Sequence, residues 1–487
     1  MRLWLPLLLL SLAGCLTSDD APDARELDAD VRQAAELFLV ADHDHHDADL
    51  HRFSHNLERI GYSNGVDQSG SADAIPRGLG FNELAVHGDY VYLSRWTPEP
   101  GIALPTPVCD RVPGTDGIPI QHGGFSIINI AVPSAPRVVS TYEAPAGSDI
   151  EVSADGDLVF FSTQRNCPNQ MLGVLQADRD PLDLLPRGIH VVDVTDPTAP
   201  ELAFYQPLPL NGPHTITYAQ VNSQELVIVS TYDLYDGPSG DPAVVAATQR
   251  VLIYEVVRDD VQGNAALRLA NTFFLTDRGG SNQLVFPHDA IPQRHPFTGQ
   301  DLLYVSYWDK GLQVVDISDL NTALPVVGSF TDFSPSAINA IHQARAFDHL
   351  IDGRHVTVTE PEIISADETG QITFLDTSDP TQIRPISHWT LPGELTVSVF
   401  DFSPHNFVLD DGKVFLAHNH AGIWVLDVGS KANLESPVTA GYFLDVEPRL
   451  DAPIHQPWFW GTQLTDTGLV LAADQSSGLY ILEYTGP

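Results

Sequence analysis

The chain has 487 residues, of which 43% are hydrophobic and 18% charged, so it can bury a large core and is not a disordered polymer. Sixty-four acidic residues stand against 24 basic ones, a formal net charge of −40, and lysine occurs only at Lys310, Lys413 and Lys431. A surface of that sign repels phosphate backbones and acidic lipid, which excludes nucleic acid as a partner and makes cations the natural counterparts.

The first element is an export signal. Met1 and Arg2 precede an apolar run from Leu3 to Leu12, and Leu12–Cys15 reads Leu-Ala-Gly-Cys. The run is too short to span a membrane as a helix, and its positive start and small residues suit a secretory signal. Leu-Ala-Gly-Cys resembles the lipobox of bacterial lipoproteins. That resemblance implies lipidation of Cys15, with residues 1–15 as the signal and the membrane bound through acyl chains. Leu16, with no Asp there, favours the outer membrane or cell surface. Residues 16–53 read as an acidic tether, with His43, His45, His46 and His51 among aspartates, a tract that can capture metal loosely but suits a solvated linker better.

From residue 54 to 487 one phrase recurs: a glycine, four to six strand-forming residues, an acid, then a turn. Its copies are Gly124–Ile130, Gly188–Asp193, Arg250–Glu255, Gly311–Asp316, Gly370–Asp376, Gly422–Asp427 and Gly478–Glu483, at intervals of 52 to 64 residues. Two strand-like runs precede each copy, such as Asn82–Val86 and Tyr90–Ser94 in the first. A fourth run follows a Pro-containing turn, such as Glu201–Tyr205. The unit is a four-stranded antiparallel meander, and seven of them predict an all-β, seven-bladed propeller. No fourth strand fits after the seventh phrase, so Asn56–Tyr62 is expected to supply it and close the last blade. The aspartates that end the phrase are read as turn residues.

The phrases Gly188–Asp193 and Gly311–Asp316 resemble the LVIVD repeat of bacterial and archaeal cell-surface propellers. The resemblance covers about residues 54–485 and implies the fold; it assigns no activity. The third copy departs from it, with Arg250 in place of glycine and Glu255 in place of aspartate.

Five consecutive blades begin their first strand with histidine: His214, His288, His342, His405 and His455. First strands line a propeller channel, so these rings are expected at its mouth, with Asn82 and Asp149–Glu151 at the matching places of blades one and two. Glu360, Glu362, His418, His420 and Asp474 end second strands on the same face. Imidazoles with carboxylates suit a transition metal, Cu, Fe or Zn. A repeated histidine can equally fasten one blade to the next. In its histidines alone the channel is similar to copper-dependent propellers of the selenium-binding-protein/methanethiol-oxidase and nitrous-oxide-reductase types. No Gly-x-Ser-x-Gly, His-Glu-x-x-His or nucleotide fingerprint occurs.

Cys109 and Cys167 lie in long loops of adjacent blades on that face, and in an exported chain they predict a disulfide; two free thiols are the rival reading. Two functions remain open. One is a monomeric, membrane-anchored binding or scaffold module for a protein, peptide or glycan. The other is a metal-dependent oxidoreductase.

Overall fold

A computed structural model describes residues 54–65, 80–97, 110–111, 119–120, 122–145, 147–164, 187–208, 212–231, 249–259, 264–275, 286–333, 341–362, 370–391, 403–444, 457–475 and 477–487. The signal, its Cys15, the tether, Cys109, Cys167 and His455 lie outside the described residues. Seven antiparallel four-stranded blades follow one another along the chain, and the short strand Ser54–His55 adds a fifth to the sheet that ends in Val438–Phe443. Blade 1 comprises Gly80–His87, Tyr90–Thr97, His122–Asn129 and Arg137–Pro145, and blade 2 Gly147–Val152, Leu158–Thr163, Gly188–Asp193 and Glu201–Pro207. Blade 3 is Pro213–Val221, Gln224–Thr231, Arg250–Asp259 and Asn264–Phe273. Blade 4 is Pro287–Arg294, Asp301–Tyr307, Gly311–Asp316 and Val326–Phe330. Blade 5 is Gln343–Ala346, Val356–Glu360, Gln371–Asp376 and Arg384–Thr390. Blade 6 is Phe407–Asp410, Lys413–His418, Gly422–Asp427 and Val438–Phe443. Blade 7 is Phe459–Leu464, Val470–Asp474 and Gly478–Tyr484, and Leu57–Ser63 pairs antiparallel with the last of these. The only α-helix among the described residues is Lys431–Glu435.

One sheet cannot bury both its faces, so the apolar residues of each blade meet those of its neighbour. Phe374 of blade 5 packs with Leu416 and Trp424 of blade 6, and Phe415 of blade 6 with Tyr480 and Leu482 of blade 7. Phe81 and Leu93 of blade 1 share a cluster with Leu471 and Ile481 of blade 7, so the first and last blades are also in contact.

Two local devices repeat. The aspartate ending four of the phrases caps the next turn: Asp193, Asp316, Asp376 and Asp427 accept the backbone N–H two residues on, at 2.9–3.0 Å. Each outer strand also carries one extra residue, at Val139, Ala203, Ala270, Val327, Ile386, Ala440 and Ile60, where the register with the third strand shifts. Such bulges increase twist, which sets each blade at an angle to the next. The residue after the bulge meets a turn of the following blade. Ser140 donates to the Pro197 carbonyl at 2.6 Å and Asn271 to that of Leu320 at 2.8 Å, while at Gly328 a side chain would collide with the Pro380 carbonyl.

His190, inside the second phrase, is buried between blades 1 and 2, with Nδ1 2.9 Å from the Tyr142 hydroxyl. Burial lowers its pKa from about 6.5 to about 4. Between those values the unfolded imidazole takes a proton that the folded one refuses, so this residue's contribution to stability is present above pH ~6.5 and is lost as pH falls toward 4. The wild type should lose about 1.4 kcal/mol per pH unit more than His190→Gln across that window. Parallel urea melts of the two proteins would measure the difference, and equal slopes would refute the assignment.

Candidate metal centre

The first strands line the channel, and their entry is irregular in a way that builds the site. The pairing of first with second strand shifts at Phe81/Leu84, at Pro213/Thr215, at Pro287/Ala290 and at Phe459/Gly461. In blade 5 the backbone N–H of His342 bonds the Glu360 carbonyl although Gln343 is the register partner of Glu360. A bulge breaks strict alternation, so two consecutive side chains can both serve the channel. The strand starts carry Asn82, Ser148, His214, His288, His342, His405 and Trp460, and the first six are followed by Glu83, Asp149, Thr215, Asp289, Gln343 and Asn406.

Four of the five predicted histidines come together in one row. Ring centroids lie 4.4 Å apart for His214 and His288, 3.8 Å for His288 and His342, and 4.4 Å for His342 and His405. His342 is 0% exposed, and His288 and His405 are 4% exposed. The Trp460 ring continues the row 4.2 Å from His405, and Trp308 stacks on His288 at 5.7 Å.

Each Nδ1 has an oxygen partner. His214 faces Gln164 Oε1 at 2.9 Å, His288 faces Asp289 Oδ2 at 3.4 Å, His342 faces Glu360 Oε1 at 2.6 Å, and His405 faces the Trp460 carbonyl at 2.9 Å. Gln164 and the Trp460 carbonyl accept from Nδ1 of His214 and His405, and Asp289 and Glu360 would do the same for His288 and His342 once a bound cation keeps them ionised. That state would leave the Nε2 lone pairs for a ligand, the arrangement of metal-ligating histidines. His214 Nε2 lies 2.7 Å from His288 Nε2, and two lone pairs at that distance repel unless a proton or cation sits between them. His342 Nε2 is buried with no hydrogen-bond partner. Glu362 Oε2 lies 3.9 Å from it and 4.0 Å from His288 Nε2. Atoms ligating one ion at about 2.0–2.2 Å can be at most about 4.4 Å apart, so both distances fit a shared ion. His342, Glu362 and His405 each offer a ligand atom within 4.8 Å of the others, as do His288, Asp289 and His342.

Burial fixes the charge state. It lowers His288 to about 3 and holds His214, His342 and His405 well below 6.5, with neighbouring imidazoles adding to the effect, so all four are neutral in ordinary buffers. Burial also raises Asp149 and Asp289 to about 8 and lifts Glu83, Glu151 and Glu360 well above the usual range. Neutral imidazoles beside carboxyls that resist ionisation form an environment that a cation would stabilise.

Fastening of blade to blade is present, but neighbouring residues carry much of it. Asn82 donates to the Ser148 carbonyl and Thr215 to that of His288. Asp149 accepts the Ile216 N–H at 2.8 Å, Gln343 Oε1 accepts that of Phe407 at 2.9 Å, and Asn406 donates to Glu83 at 2.6 Å. His342 is oriented through Nδ1 alone, and its Nε2 has no hydrogen-bond partner. Glu360 and Glu362 divide the two edges of His342: Glu360 holds Nδ1 and Glu362 faces Nε2. His418 is buried at the end of its strand, and His420 packs on Trp458 at 4.9 Å. Neither enters the ligand groups formed by the described residues. Asp289 and Glu83 escaped the sequence reading, although each directly follows a recognised strand-start residue.

The LVIVD repeat profile matches residues 300–332, which run from the second strand of blade 4 past its outer strand. No curated protein matches the chain. Among solved structures, it is similar to a putative 6-phosphogluconolactonase from Bacteroides fragilis, with 14% identity over 75% of this chain and 90% of that one and a TM-score of 0.47. A periplasmic gluconolactonase from Pseudomonas aeruginosa gives 13% identity, 80% and 100% coverage and a TM-score of 0.44. Saccharomyces cerevisiae Sqt1 gives 9%, 87% and 98%, and 0.49. At these scores the likenesses carry no argument about chemistry. The matched repeat and the seven-bladed ring agree with an LVIVD-repeat β-propeller.

Proposed function

We propose that the hub holds one transition-metal ion, Cu, Fe or Zn, between Nε2 of His288 and His342, the carboxylate of Glu362 and the ring of His405, with His214 at its edge. The observation that carries this is His342 Nε2: fully buried, without a partner, and faced by Glu362 at 3.9 Å. An unmet buried acceptor costs about 1–3 kcal/mol, which a ligand on that lone pair would offset.

The chain is then a metal-binding propeller of the bacterial cell envelope. The lipobox ending at Cys15 supports a lipid anchor at the outer membrane or cell surface, and the acidic tether 16–53 gives the ring reach from it. As a monomeric binding or scaffold module it would offer its upper rim to a protein, peptide or glycan, with the metal as an anchoring point. A second reading, a metal-dependent oxidoreductase, is favoured by Trp460 and Trp308, whose electron-rich rings lie against His405 and His288.

The test is elemental analysis of the full chain carrying His43→Gln, His45→Gln, His46→Gln and His51→Gln, which silence the tether. About one equivalent of Cu, Fe or Zn is expected, and it should vanish when His288, His342 and His405 are together replaced by alanine. Absence of metal, with no change in melting temperature on adding it, would refute the proposal. A reversible one-electron wave from the loaded protein would favour the oxidoreductase over the scaffold.

A further inference from the structure

Blade 7 departs from blades 3 to 6 at its strand start, with Trp460 where they carry His214, His288, His342 and His405. The centroid of the Trp460 ring lies 4.2 Å from that of His405, and the Trp460 carbonyl accepts from His405 Nδ1 at 2.9 Å, so one residue both orients this imidazole and touches it. Trp458, two residues before it, has its ring 6.3 Å from that of Trp460 and 4.9 Å from that of His420. Its backbone is held on both sides: the N–H donates to Asp474 at 2.5 Å, and the carbonyl accepts the Gln475 N–H at 2.8 Å. The rings form an unbroken line from His342 through His405 and Trp460 to Trp458. The two histidines are buried, and both indoles are partly exposed.

The line consists of groups that can pass a charge. Sulfur side chains are the usual first targets of oxidants. Here cysteine occurs only at Cys15, Cys109 and Cys167 and methionine only at Met1 and Met171, so no sulfur stands among the described residues of the blades. That leaves the indoles as the readily oxidised groups in contact with the histidine row. Trp458 Nε1 is buried with no hydrogen-bond partner. A proton leaves only toward an acceptor within reach. An oxidised Trp458 therefore keeps its N–H and stays a cation that another donor can refill. Asp474 at its backbone and the acidic surface favour that positive charge. Trp308, the other tryptophan against the row, does not lead outward: its ring lies 4.4 Å from Phe286, and both are buried.

We propose that Trp460 and Trp458 form a relay that carries one oxidising equivalent from the hub ion to the rim of blade 7, where a one-electron donor of the thiol or ascorbate class removes it. The relay rests on the reading above, with Cu or Fe as the ion. When hydrogen peroxide meets the reduced ion, breaking the O–O bond takes two electrons and two protons and gives two water molecules. The ion supplies one electron, and Trp460 supplies the other through His405; the protons come from solvent. Trp458 then refills Trp460, and the dissolved donor refills Trp458. The imidazoles that hold the ion are thereby spared oxidation.

The test uses the full chain with the four tether substitutions, its Cu or Fe content measured, reduced and then mixed with stoichiometric hydrogen peroxide and no donor. Electron paramagnetic resonance of freeze-quenched samples should show an organic radical whose lines narrow when the protein carries ring-deuterated tryptophan. Peptide mapping should place the oxidised ring at Trp458. Trp460→Phe keeps an aromatic ring against His405; it should bind the same metal, lose the radical and shift oxidation to His342 and His405. Trp458→Phe should move the radical and its products to Trp460, and this arm decides the matter if Trp460→Phe does not fold. Loaded wild type that consumes peroxide without an indole radical, products mapped to Trp308, or products unmoved by either variant would overturn the relay and leave the metal centre standing. A chain that takes up neither Cu nor Fe would overturn the relay together with the reading it rests on, and elemental analysis tells the two failures apart.

Discussion

Replacing His342 with alanine is expected to lower the hub's transition-metal affinity by more than about 100-fold, since even outer-shell partners of metal ligands are worth about 10–100-fold. The reason is position. His342 is the middle ring of the row, in contact with His288 on one side and His405 on the other, and it belongs to both ligand groups of the hub. Glu360→Gln is expected to give a smaller loss, about tenfold, because it removes a charged acceptor from Nδ1 and leaves the Nε2 ligand in place. His388, exposed on the outer strand of the same blade, supplies the control: His388→Ala should bind metal as the wild type does. Equilibrium dialysis of the four proteins reads the order directly. Equal affinity for wild type and His342→Ala would remove that histidine from the site.

Gly422→Ala should damage the propeller frame severely, costing about 3 kcal/mol or more. Gly422 has φ = 89°, a left-handed conformation that costs a side chain about 1–2 kcal/mol. A Cβ there would also strike the Phe443 carbonyl and approach Leu444 Cδ1 at 2.7 Å, where the third strand of blade 6 meets its outer strand. Gly468 separates the two causes. Its φ is 82°, but nothing lies within 4 Å of its would-be Cβ, so Gly468→Ala should cost only the conformational part, about 1 kcal/mol. Urea midpoints for both variants measure the difference. Equal losses would show that the collision is relieved by relaxation and that only backbone strain matters.

The ring was legible because its physics is local and repeated: a strand pattern, a capping aspartate and a tight glycine recur in most phrases, and each can be read without knowing its neighbours. The histidine row was legible for the same reason, since Pro213, Pro287 and Pro404 mark the strand starts before His214, His288 and His405. The carboxylates beside them were not. Strand alternation sends consecutive side chains to opposite faces, so a residue after a channel histidine reads as pointing away. The bulge overrides that rule, and a one-residue register shift at Pro287/Ala290 leaves no mark in composition. His418 and His420 end a strand where the chain turns; His418 is buried there and His420 packs on Trp458, outside the ligand groups of the described residues.

The choice between fastening and ligation also needed coordinates. Both uses predict a histidine at every strand start, and only bond partners separate them. Thr215, Gln343 and Asn406 carry links between blades, which leaves His342 Nε2 for another purpose.

The most direct measurement is anomalous scattering, at the metal's own absorption edge, from crystals of the loaded protein. A single strong peak bonded to His342 Nε2 and Glu362, with His288 and His405 around it, is the predicted result. A metal-loaded crystal whose only peaks fall on the tether or the outer surface, with the four imidazoles hydrogen-bonded to water or to one another, would contradict the account.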